Sequence, residues 1–118
     1  MSLWATRLAR LGALMALAAI LILLLRPVTA AEQSWPEGAD KLVHAIAFSV
    51  VFWSLAILLP GVSRWRLASL GVVLGAATEL VQGMVGRDAE LGDAFADAIG
   101  MGSAYLIWII WRAVGRQG

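Results

Sequence analysis

Residues 11–25 read LGALMALAAILILLL, fifteen positions without a charge or a proline. Such a run offers no polar face, so it does not suit a surface helix. Extended to about Leu8–Leu25, it approaches the roughly 20 apolar residues that cross a bilayer core. Three further segments of this kind follow, at about Lys41–Leu59, Leu67–Val85 and Asp93–Trp111. They are continuously apolar rather than alternating, which favours helices over barrel strands. In lipid, each segment must also satisfy its own backbone hydrogen bonds. The sequence therefore predicts an all-α, polytopic transmembrane bundle of about four helices, a single membrane domain over residues 1–118.

Composition points the same way. The chain is 61% hydrophobic and 14% charged, with a mean hydropathy of +0.83. A water-soluble domain of this length buries too small a fraction of its surface to hide so much apolar area. The absence of Cys excludes disulfides, thiolate metal sites and a cysteine nucleophile. A single His excludes a multi-histidine zinc site within one chain. No Lys/Arg-rich run suggests nucleic acid as a partner, and no Gly-rich phosphate loop identifies a cofactor.

The charges set an orientation. Arg7 and Arg10, Arg64 and Arg66, and Arg112 and Arg116 mark the N-terminal end, the second link and the C-terminal end. No acid accompanies them. The eight acids are Glu32, Glu37, Asp40, Glu79, Asp88, Glu90, Asp93 and Asp97. Under the positive-inside rule, both termini and the second link face the cytoplasm. Trp4, Trp65, Trp108 and Trp111 fall near the same boundary, as interface anchors should. The longest link, Arg26 to Asp40, contains Pro27, Pro36 and Gly38. In it, Ser34-Trp35-Pro36-Glu37 fits a capping box that would start the second helix, a signal weakened by the Gly38 that follows. Val28-Thr29-Ala30 before Ala31 also resembles a secretory cleavage site. Cleavage would leave three helices without reversing them.

Ionisable side chains inside membrane segments are costly, and each asks for a reason. Asp40, Lys41 and His44 open the second segment, with His44 one turn below Asp40. Glu79 and Gln82 share one face of the third, Glu79 lying about 9 Å inside its end. Arg87 follows in the outer link. Asp93 and Asp97 open the fourth segment on one face, continued by Gly100 and Ala104, beside a parallel stripe of Ala94, Ala98 and Gly102. Small residues of this kind let helices approach closely, within a chain or in a homo-oligomer. His44, Glu79, Gln82, Asp93 and Asp97 all fall within about two turns of the outer boundary. Three helices thus deliver a histidine, three carboxylates and an amide to one layer, with Lys41 and Arg87 above. Such a set suits an anion gripped by the two cations, a hard cation held by His44, Glu79, Asp93 and Asp97, or proton transfer. A capped helix start with snorkelling Lys41 and a purely structural polar clasp are the plainer readings.

The ordered pattern Asp40-Lys41-x-x-His44, Glu79-x-x-Gln82, then Arg87 with Asp93, Asp97 and Gly100, resembles the VanZ-like family over about residues 40–106. Ala45 stands where that family often has an aromatic, and Asp97 where Asn is common. The resemblance implies a multi-pass protein of the bacterial inner membrane. It also implies a cell-envelope setting, since the family's namesake is linked to resistance to the glycopeptide teicoplanin. Two functions then compete. One is a binding or accessory protein whose outward polar pocket, formed by Asp40, Lys41, His44, Glu79, Gln82, Arg87, Asp93 and Asp97, engages an anionic lipid, a cell-wall precursor or an envelope peptide. The other is a membrane-embedded, metal-assisted hydrolase or transferase acting on a lipid-linked phosphate. A structural helix bundle is the third.

Overall fold

The computed structural model describes residues 2–26, 29–84 and 91–116. Among them the chain forms five helices and no strand: α1 (Leu3–Leu25), α2 (Ala30–Gln33), α3 (Ala39–Leu58), α4 (Arg64–Met84) and α5 (Leu91–Gly115). All but the short α2 are long and apolar enough to cross a membrane. At 1.5 Å per residue each spans about 30 Å or more, the thickness of a hydrocarbon core. The expected four-helix bundle is therefore present.

The helix ends differ from the sequence expectation in instructive ways. α1 begins early, because the Ser2 hydroxyl accepts the Ala5 amide at 3.1 Å and caps the first turn. The helix start expected at Ser34 is not used. Thr29 instead caps α2, its hydroxyl accepting the Glu32 amide, while the Ser34 hydroxyl donates to the Ala31 carbonyl at the other end of that turn. α3 starts after Gly38, whose φ of 85° turns the chain in a conformation that favours glycine. Pro60 and Gly61 then end α3 as expected, and α4 opens at Arg64, within the link as read from sequence.

Side-chain contacts fix an up-and-down topology. The start of α3 meets the start of α5 through Lys41–Asp93 and His44–Asp97. The end of α1 meets the end of α4 through Leu24 and Gln82. The start of α4 meets the end of α5 where Arg64 lies over Trp108. One end of the bundle thus holds Asp40, Asp93 and Asp97, and the other holds Arg64 and Arg112. α3 is central, packing against α1, α4 and α5. Its Phe48, Val51, Phe52 and Leu55 form a core with Leu24, Leu67, Met101 and Ala104. Large apolar side chains such as Met15, Ile22, Ile46, Val73, Leu80 and Ile99 remain exposed on the outside. That arrangement is stable with lipid as the surrounding solvent.

Two of the expected small-residue positions behave differently. A Cβ on Gly100 would stand 2.1 Å from the Ala45 carbonyl oxygen, so α3 and α5 touch backbone to backbone there. The Ser49 hydroxyl donates to the Gly100 carbonyl at 3.1 Å across the same contact. Gly102 is exposed, and a methyl added to it would meet nothing within 4 Å, so its stripe carries no helix contact at that position. A Cβ on Gly71 would first meet the unbranched Met101 side chain, nearest at its terminal Cε, rather than a backbone atom. Thermal unfolding in detergent should therefore rank the alanine variants. Gly100→Ala loses about 1–3 kcal/mol through overpacking, Gly71→Ala loses less, and Gly102→Ala is neutral. Equal stability of Gly100→Ala and Gly102→Ala would contradict the close α3–α5 contact.

Candidate functional site

The acidic end gathers most of the residues singled out from sequence. On the first turns of α3, Asp40, Lys41 and His44 point towards α5. Lys41 Nζ lies 3.3 Å from Asp40 Oδ2 and 3.1 Å from Asp93 Oδ1, joining the two helices. Its side chain crosses Gly92 so closely that a Cβ there would fall 2.7 Å from Lys41 Cε. Gly92 is thus part of the site, although from sequence it reads only as the end of a link.

One turn deeper, His44 and Asp97 form the centre. His44 Nδ1 lies 2.7 Å from Asp97 Oδ1, and His44 Nε2 lies 3.7 Å from Asp93 Oδ2. His44 is 2% exposed and Asp97 is fully buried. Asp97 Oδ2 has no hydrogen-bond partner among the described residues. It faces α4 at Gly75, where a Cβ would stand 2.9 Å from it. Glycine at 75 is therefore what admits the carboxylate between α4 and α5. Glu79, one turn further along α4, is also buried and within electrostatic reach of His44. Lys41, Asp93, His44 and Asp97 make one continuous chain of polar contacts from the half-exposed Lys41 to the closed interior.

Burying an isolated carboxylate is prohibitive, so Asp97 persists because the imidazole shares a proton or a charge with it. An imidazole whose Nδ1 is fixed by a carboxylate is also oriented, and its Nε2 is the ring nitrogen left to face Asp93. A cleft of about 40 Å³ reaches the His44 side chain from the α1 side, lined by Leu23, Leu24, Arg26, Glu32, Trp35, Asp40, Val43 and His44. It has room for one or two water molecules. The wall opposite α3 is the α1–α2 segment, held by an ion pair between Arg26 and Glu32. Neither residue reads as part of the site from sequence. Arg26 reads only as the start of the longest link, and the fold alone brings it to the cleft that His44 lines.

Gln82 takes a different role from the one expected. It is 1% exposed, and its Nε2 donates to the Leu24 carbonyl at 2.5 Å. The last carbonyls of a helix have no partner within it, and α1 ends at Leu25. Gln82 satisfies one of them and ties α1 to α4. Arg87 lies outside the described residues. Among the described residues, no three His, Asp or Glu side chains are arranged to hold a metal ion.

No family model matches the sequence, and no curated protein or solved structure matches it either.

The pairing carries a quantitative consequence. Removing one partner of a buried pair costs about 3–5 kcal/mol, because the other is left uncompensated. His44→Ala and Asp97→Ala should each lower unfolding stability by that order. The double variant should cost clearly less than the two together, by about 0.5–3 kcal/mol of coupling as contacting pairs give. Additive losses in that cycle would mean that the two side chains do not compensate each other.

Proposed function

We propose that this protein is a VanZ-like, multi-pass protein of the bacterial inner membrane with a binding or accessory role in the cell envelope. In this reading the acidic end faces away from the cytoplasm, as the arginine distribution favours. The pocket built on Asp40, Lys41, His44, Asp93 and Asp97 receives an anionic or hydrogen-bonding group of a lipid, a cell-wall precursor or an envelope peptide. The observation that carries it is the Lys41–Asp93–His44–Asp97 network, which joins a half-exposed lysine to a buried imidazole beside a water-sized cleft. A network serving only to hold helices together has no need of a cleft against its histidine.

The contacts specify how an anion would enter. Lys41 is shared between Asp93, which is 9% exposed at its side chain, and Asp40, which is 46% exposed. The contact to Asp40 is the solvent-facing one, and exposed ion pairs are worth only about 0–1 kcal/mol. An incoming phosphate or carboxylate displaces Asp40 and leaves Asp93 in place. The exchange preserves the charge balance of the buried part.

A second reading has one observation of its own. The 2.7 Å Asp97–His44 contact orients an imidazole as general acid–base chemistry requires. It supports a hydrolase or transferase acting on a lipid-linked phosphate, with His44 as the proton carrier. Release of inorganic phosphate from a polyprenyl diphosphate in detergent, abolished by His44→Gln, is its distinguishing assay.

Native mass spectrometry of gently extracted protein tests the binding reading. The wild type should carry a specific adduct. Lys41→Gln should lose it, and Asp40→Asn should keep or strengthen it, with all three proteins folded. An adduct that survives Lys41→Gln, or that Asp40→Asn removes, would point to a cationic ligand or to none at this site.

A further inference from the structure

The opposite end of the bundle carries a second constellation that the polar network does not involve. A pocket of about 500 Å³ opens between the α3–α4 link and the end of α5, lined by Pro60, Gly61, Val62, Ser63, Arg64, Trp65, Tyr105, Trp108 and Arg112. Trp108 is the lining residue on which its cations converge. Arg64 lies over that ring at 5.8 Å from the centroid, and Arg112 at 5.1 Å. Tyr105 stacks on the same indole with centroids 6.1 Å apart and planes 13° from parallel. One aromatic platform therefore holds two guanidinium groups from two different helices.

Two features of this arrangement suit an anionic ligand. No acidic side chain lines the pocket. Both guanidiniums approach one ring, so two like charges share this region, and cation–π attraction of about 0.5–1 kcal/mol each at exposed sites supplies no counter-charge. Arg64 is also only partly satisfied. Its Nη1 donates to the Val62 carbonyl at 3.2 Å, while its buried Nε has no hydrogen-bond partner among the described residues. The guanidinium fork matches phosphate oxygens in a paired, planar geometry. Trp65 and Trp111 flank the region on α4 and α5 and are exposed. Exposed tryptophans at the ends of apolar helices belong at the headgroup level of a bilayer.

We propose that Arg64 and Arg112, braced on Trp108, form a binding site for the phosphate of an anionic phospholipid headgroup in the leaflet at the arginine end of the bundle. The phosphate enters the pocket that both guanidiniums line and accepts from their terminal N–H groups. The Ser63 hydroxyl is at hand for a further hydrogen bond. The acyl chains descend along the exposed apolar faces of α4 and α5. The site joins α4 to α5 at the end remote from His44, so a bound lipid clamps the bundle where no side-chain ion pair does among the described residues.

The test uses delipidated full-length protein in detergent, titrated with phosphatidylglycerol or with phosphatidylcholine of the same acyl chains, and read by native mass spectrometry. The expected result is one preferred phosphatidylglycerol adduct. Arg64→Gln and Arg112→Gln should each weaken it by about tenfold or more, the range for a hydrogen bond between charged groups. Arg10→Gln, which removes a charge of the same sign outside the pocket, should leave it unchanged. Arg64→Lys and Arg112→Lys keep the charge but lose the fork. They should lose most of the preference with an unchanged melting curve, which separates binding from folding. Equal retention of the two lipids, or an Arg10→Gln loss equal to that of Arg64→Gln, would overturn the site in favour of general surface attraction. Displacement of phosphatidylglycerol by inorganic phosphate at equal concentration would overturn the lipid assignment and make the ligand a soluble phosphate.

Discussion

A carboxylate with no access to water must share its charge or give it up, and Asp97 is such a carboxylate. It is fully buried, and His44 at 2.7 Å is the group that meets it. Much of the bundle follows from holding that contact. α3 and α5 must come close enough for the imidazole to reach, so Gly100 lies against the Ala45 carbonyl, where a methyl would not fit. α4 must leave space behind the carboxylate, so Gly75 faces Asp97. Lys41 must lie across α5 to reach Asp93, and Gly92 lets it pass. Three glycines on two helices thus serve one polar layer. In lipid, where apolar surfaces give no net drive to associate, such close packing and interhelical polar contacts are what hold helices together.

The two ends of the molecule then do different physical work. At the acidic end, Lys41 and His44 each meet carboxylates. At the arginine end, Arg64 and Arg112 are gathered on Trp108 with no carboxylate lining the space between them. A matched network suits a site that exchanges one partner for another. An unmatched pair of cations suits one that is filled from the surrounding leaflet. The apolar core around Phe48, Phe52 and Met101 separates them, with Ser49 and Gly100 the polar link across α3 and α5.

Much of this was legible in the sequence because lipid imposes simple rules. The four long helices follow from the apolar runs, and His44, Asp93 and Asp97 follow from the cost of placing them there. The common depth of His44, Glu79, Gln82, Asp93 and Asp97, with Lys41 above them, is helical arithmetic, and the structure brings Lys41, His44, Asp93 and Asp97 into one network. What was hidden depends on the third dimension. Gln82 shares a helix face with Glu79, yet it turns to the Leu24 carbonyl, because α1 ends there and needs a donor. Ser34 carries a capping pattern, yet Thr29 and Gly38 make the turns that the link uses. Gly92 and Gly75 carry no side chain to betray their role. Arg64 and Arg112 were legible as orientation signals, but their meeting on Trp108 required the antiparallel pairing of α4 with α5.

The chain has one histidine, so its imidazole can be followed without assignment by nuclear magnetic resonance of protein labelled with 15N-histidine. A proton held in the short His44 Nδ1–Asp97 bond is shielded by α3, α4 and α5. It should give a single downfield imidazole proton resonance, slow to exchange with water, that persists in Asp93→Asn and disappears in Asp97→Ala. A rapidly exchanging, tautomer-averaged ring in the wild type would contradict the buried pair, and with it the polar layer on which the bundle is built.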